Sequence, residues 1–148
     1  SIIMRGITYI LLALSIIFST CKKKEIENEF SISLIEMNPT QIIEFEENIN
    51  VRISYSHPQG FVGFSDPDYL SLEVKDSRLS NPDYYHLIPL SPPQSEVSIR
   101  GEILIEVDAP FIFGNGNTET LTFTIRIQDK DKNWSNKVTT DLITVNKQ

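Results

Sequence analysis

From residue 30 onward, apolar side chains recur at every second position, the spacing of strands that bury one face. Ile49, Val51, Ile53 and Tyr55 alternate with Asn50, Arg52 and Ser54, and Leu70, Leu72 and Val74 alternate with Ser71, Glu73 and Lys75. Val97 and Ile99 lead through Gly101 into Ile103, Ile105 and Val107; a glycine inside such a run predicts a bulge or bend. Leu121, Phe123, Ile125 and Ile127 alternate with Thr122, Thr124, Arg126 and Gln128. A final strand is predicted over residues 138–145, and two short ones over 32–35 and 42–45 open the domain. Turn-forming clusters separate these runs, among them Asn38-Pro39, His57-Pro58-Gln59-Gly60, Asp66-Pro67-Asp68, Asn81-Pro82-Asp83 and Gly114-Asn115-Gly116-Asn117. No helical period is sustained beyond the first 20 residues. The pattern predicts an all-β fold, an antiparallel immunoglobulin-like β-sandwich of about seven strands over residues 30–148. Without a Cys-Trp-Cys framework, an antibody-type domain is not implied.

The chain starts differently. Arg5 precedes an apolar run over residues 7–18, and the small residues Ser19 and Thr20 come just before Cys21, the only cysteine. A run of this length is well short of the roughly 20 apolar residues that span a bilayer, so it reads as a secretion signal. Phe18-Ser19-Thr20-Cys21 resembles the lipobox of bacterial lipoproteins, in which cleavage before the cysteine accompanies attachment of a diacylglyceryl group to its sulfur. The expected organisation is a lipoprotein signal peptide over 1–20, then the lipidated Cys21 with a charged tether over 21–29, then the sandwich. Lys22, Lys23 and Lys24 stand beside the anchor and are followed by Glu25, Glu27 and Glu29, a solvated tether by composition.

Cleavage before Cys21 leaves 128 residues, enough for one domain with its own core. Only Arg5 among the 13 basic residues lies in the leader, so the remainder carries 12 basic and 20 acidic side chains, a balance of −8. That sign argues against nucleic acid, which rewards a basic patch. No cysteine follows Cys21, so the domain has no disulfide despite an oxidising export route.

Candidate chemistry is sparse. Asp129, Asp131 and Asn133 present oxygens at alternate positions, the opening of a calcium-loop spacing, but Trp134 stands where that loop turns on glycine and Thr140 where a glutamate would close the shell. Trp134, Tyr84, Tyr85 and Phe61, with Phe64, Phe111 and Phe113, lie in or beside predicted loops, where aromatic rings stack on sugars, anchor a partner or plug the ends of a sandwich. His57 and His86 have no metal-ligand spacing. There is no nucleophile elbow, no phosphate-cradling glycine loop and no second cysteine, so no enzyme is expected.

Three segments together resemble small Bacteroidota lipoproteins with one immunoglobulin-like domain: residues 51–63 with Asp66-Pro67-Asp68-Tyr69-Leu70; Val74-Lys75-Asp76-Ser77-Arg78; and residues 123–136, ending Gln128-Asp129-Lys130-Asp131-Lys132-Asn133-Trp134-Ser135-Asn136. Members often carry Asp-Gly-Asp-Gly-Asp where this chain has Ser56-His57-Pro58-Gln59-Gly60. The resemblance implies the fold and the anchor, and implies no activity. The expectation is therefore a lipid-anchored module of the cell envelope, held at the outer membrane, that binds another envelope protein without catalysis and needs no cofactor beyond the lipid on Cys21. The competing expectation is a carbohydrate-binding surface lipoprotein whose loop aromatics hold a glycan.

Overall fold

The computed structural model describes residues 29–60, 62–90 and 97–148. The leader, Cys21, the lysine-rich part of the tether and Phe61 lie outside the described residues. The described chain is all-β, with strands β1 Ser31–Asn38, β2 Gln41–Ile43, β3 Ile49–His57, β4 Leu72–Asp76, β5 Asp83–Tyr85, β6 Ile99–Val107, β7 Thr118–Leu121, β8 Phe123–Ile127, β9 Val138–Thr139 and β10 Ile143–Asn146. They form three sheets, ordered β1-β3-β6, β2-β10-β7 and β5-β4-β8-β9. Every pairing is antiparallel except that of β2 with β10.

Period-two burial dictates the layering. Ile49, Val51 and Ile53 of β3 are fully buried, and so are Ile125 and Ile127 of β8 and Ile143 and Val145 of β10. These side chains belong to one apolar cluster that also takes Ile32 and Met37 from β1, Ile105 from β6, and Leu72 and Val74 from β4. All three sheets thus turn one face to a common core, the condition for a sandwich-like stack. Only Thr122 separates β7 from β8, so the second and third sheets run into one another. Side-chain hydroxyls bridge the break. Thr140 Oγ accepts from the Phe123 amide at 2.9 Å, and Ser77 Oγ accepts from the Thr122 amide at 3.0 Å.

Several expectations need correction. Gly101 marks no bend, because β3 and β6 pair without interruption from Ile49↔Val107 to His57↔Ile99. It makes room for Tyr55, its cross-strand partner, whose Oη would lie 2.5 Å from a Cβ at that position. The bulge falls in β1 instead, between Leu34 and Glu36. Leu70 is 46% exposed and precedes its strand. The strand expected over 42–45 ends at Ile43, since Phe45 turns out of the ladder with φ of 65°. The strand expected over 138–145 is two, β9 and β10. Finally, Tyr84 and Tyr85 lie on β5, an edge strand whose three residues are all exposed and so show no alternation.

The strand registers define two ends. Residue 31 enters beside Ser56, next to His57 and the start of β6, so the turn 128–136 and the loop 58–71 share the entry end. The turn 44–48, the loop 108–117 and the last strand's end gather at the opposite end, where Thr118 pairs with Asn146.

Candidate functional site

At the entry end, the Asp129 carboxylate organises its turn. It is 4% exposed; Oδ1 accepts from the amides of Asp131 and Asn133, each at 2.9 Å, and Oδ2 lies 3.1 Å from His57 Nε2. His57 Nδ1 accepts from the Gln59 amide at 3.1 Å, so the ring proton sits on Nε2 and points at Asp129. The Phe30 ring, directly after the tether, lies 4.8 Å from the His57 ring. Asp131 and Asn133 are exposed. A cation at the predicted calcium loop would have to compete for Asp129 with these donors, and no group of three or more acidic, histidine or cysteine side chains that could hold a metal occurs among the described residues.

The predicted aromatic set divides. Glu73 lies between Tyr84 and Arg126 in one cross-strand row. Arg126 bonds Glu73 at 2.8 Å and covers the Trp134 ring with its guanidinium 4.3 Å from the centroid. Tyr84 and Trp134 approach to 6.5 Å between centroids. Desolvation, and next the Glu73 carboxylate beside it, raise the Tyr84 phenol. Tyr85 shares the opposite face of its sheet with Leu72 and Ile127. Desolvation raises its phenol as well, followed by Asp83 and Asp108.

Tyr85 stands at the margin of the least expected feature, a groove of ≈ 480 Å³ between β6 and the β4–β5 side of the other layer. Leu72, Leu87, Leu90, Ile103 and Ile105 line it, and Ile88, 73% exposed, stands at its lip. Among the described residues, no strand pairs with the outer edge of β6. Alternate backbone N–H and C=O groups along its nine residues are therefore open beside an apolar floor. Sequence patterning located the strand but not its neighbours.

A second exposed cluster occupies the far end. Phe45 stacks on Phe111 at 5.2 Å, and Phe111 meets Phe113 edge-on at 5.0 Å. Arg78 lies 3.8 Å from the Phe113 centroid, pairs with Asp76 and Glu119 at 2.8 Å each, and donates to the Phe111 carbonyl at 2.7 Å. Glu119 Oε1 accepts from Gly114 at 2.7 Å and Phe113 at 3.1 Å. These amides, in that order, and then Arg78 hold the Glu119 carboxyl below its ordinary 4.5. A carboxyl lowered by folding stabilises the native state above that ordinary value and loses its contribution as pH falls through the lower native one. Wild type and Glu119→Gln should therefore differ in melting temperature at neutral pH and converge on acidification below 4.5; a difference that stays constant would assign the effect to packing.

The described residues form an all-β, sandwich-like domain in which they leave the outer edge of β6 without a strand partner. Comparison with family models, characterised proteins and solved structures found no match for this chain.

Proposed function

We propose that this chain is a lipid-anchored, non-catalytic module of the cell envelope, with an immunoglobulin-like sandwich that binds another envelope protein along β6. The observation that carries the reading is the nine-residue β6 edge lying open beside an apolar groove, the geometry used when an extended segment joins a sheet. The order β1-β3-β6 against β5-β4-β8-β9, with β2 crossing to run parallel to β10, supports the immunoglobulin-like assignment. The leader and Cys21 support the anchor, and outer-membrane placement, on either face, belongs to the same proposal. Because residue 31 enters at one end, the β6 edge runs along the side of the domain and the aromatic far end points away from the bilayer.

The test is a tagged pulldown of the full chain from native envelopes, comparing wild type with Cys21→Ser, Ile88→Asp and Leu104→Lys. The two groove positions are 73% and 61% exposed, so substitution there leaves folding intact. A stoichiometric partner lost in all three variants is the expected result. A partner retained by both groove variants, or none recovered with wild type, overturns the β6 reading. A second reading, glycan binding, is favoured by the approach of Trp134 and Tyr84; selective glycan-array binding abolished by Trp134→Ala would establish it. Calcium is not required by either.

A further inference from the structure

We infer that the segment docking along β6 comes from a different protein and is an extended strand with apolar side chains on its inward face and two lysines or arginines four residues apart on its outward face. This rests on the proposed β6 binding reading and adds the chemistry of the partner.

The choice of edge comes first. β1 is bulged, and Asn136 closes its start by accepting from the Ile32 amide at 2.8 Å and donating to the Ile32 carbonyl at 2.9 Å. The edges of the second sheet, β2 and β7, have three and four residues, and those of the third, β5 and β9, three and two. Edges so shortened, bulged or covered resist strand addition. Among the described residues β6 has none of these protections along its nine residues.

The pattern follows from the pleat. A strand added beside β6 continues both of its faces. On the inner face it meets Ile103 and Ile105 and the groove floor, which calls for apolar side chains. On the outer face it meets Arg100 at the start of the strand and then, beside the groove, Glu102, Leu104 and Glu106, all exposed. No lysine or arginine lines the groove, and Asp83 and Asp108 stand near Tyr85 at its far end. Glu102 also receives Arg52 at 3.4 Å and Glu106 receives Asn48 at 2.6 Å. Both are exposed surface contacts that an incoming cation can share.

The same row disfavours a second copy. Antiparallel self-pairing over the groove-lining stretch, centred on Leu104, would set Glu102 against Glu106 of the other chain, twice over; a register that set Arg100 against a glutamate instead would slide the copy off the groove. Like charges directly opposite destabilise a strand pair. A partner with basic residues opposite both glutamates and an apolar residue opposite Leu104 converts both repulsions into attractions.

Two labelled nine-residue peptides test this against the full-length chain in detergent. Each has leucine at its centre and valines on the inward face, with either lysines or glutamates two positions to each side of the leucine. The lysine peptide should bind at least about tenfold more tightly than the glutamate peptide, a difference that shrinks with added salt. Combined Glu102→Gln and Glu106→Gln should erase the preference, and amide exchange should slow within β6 on binding. Equal binding of both peptides overturns the charge assignment. Binding of neither, while the pulled-down partner still depends on Ile88 and Leu104, overturns the strand pattern and leaves the β6 reading standing. Concentration-dependent dimers in sedimentation would assign the edge to a second copy and overturn the inference.

Discussion

Asp129→Ala lowers the unfolding free energy by about 2–4 kcal/mol, because it removes a buried acceptor and strands its donors. The amides of Asp131 and Asn133 and the His57 Nε2 proton all converge on this one carboxylate. Asp129→Asn tests the same point more finely. Its oxygen can still take the two amides, but its NH2 would confront the His57 Nε2 proton. Turning the ring to the other tautomer would cost the bond from Gln59 to Nδ1. Denaturant midpoints at unchanged m-value report the losses. A loss under about 1 kcal/mol for the alanine variant would mean that water replaces the carboxylate readily. If calcium occupied this turn, the gap between wild type and Asp129→Ala would collapse on adding chelator. A gap independent of chelator assigns the stabilisation to hydrogen bonding alone.

Ile125→Ala has an effect of similar or greater size, about 2–5 kcal/mol. Ile125 is fully buried in β8, paired with Val74 on one side and Val138 on the other. It lies where both layers meet in the common cluster. Truncation leaves a void that strands on either side, each held by its own ladder, can close only in part. Thermal melting should show a drop of about 6–20 °C, at roughly 3–4 °C per kcal/mol for a domain of this size. The contrast with Leu104→Lys is part of the expectation. Leu104 shows the same apolar chemistry in the sequence but is 61% exposed on β6, so its substitution should leave the melting temperature within about 1–2 °C of wild type. A large loss at Leu104 and a small one at Ile125 would reverse the assignment of faces.

Much of the strand content was legible beforehand because alternation is local. Ile49, Val51 and Ile53 announce their buried face without knowledge of any partner, and Leu121 to Ile127 do the same. The errors fell where local pattern and long-range pairing disagree. Leu70 continues the apolar rhythm of β4, yet lies outside the ladder, whose register begins at Leu72 against Ile127. Gly101 carries a bend signal, yet its missing side chain is filled by Tyr55, 46 positions earlier in the chain and set opposite by register. Phe45 read as the end of a strand and instead stacks on Phe111 at the far end. Tyr84 and Tyr85 are adjacent in sequence and belong to opposite faces of β5, a strand too short and too exposed to leave a periodic trace.

The candidate surfaces divide in the same way. Trp134 and Tyr84 read as loop aromatics in the sequence, and the fold brings them together through Arg126 and Glu73 on neighbouring strands. Nothing in their spacing of 50 residues encoded that approach. Asp129 stands in the sequence as an oxygen-bearing residue at the head of an Asp-Asn turn, and the fold uses it to accept amides and to hold His57. The β6 groove has no sequence signature, since Leu87, Leu90, Ile103 and Ile105 look like ordinary core positions until the layers are assembled.

The sequence by itself determined that this chain is built of strands, which face of the longer ones is apolar, where most of the turns fall, and the expectation of a leader over 1–20 ending just before Cys21. Those properties depend on nearest neighbours along the backbone, where the two-residue pleat and the turn chemistry of proline, glycine and asparagine act directly. Only the tertiary structure decided which strands become neighbours, that β6 has no outer strand partner among the described residues, and that Phe45, Phe111 and Arg78 meet at one end. Pairing is chosen by the combined burial of side chains far apart in sequence, and an alternating apolar face fits many partners equally well until the whole core is packed.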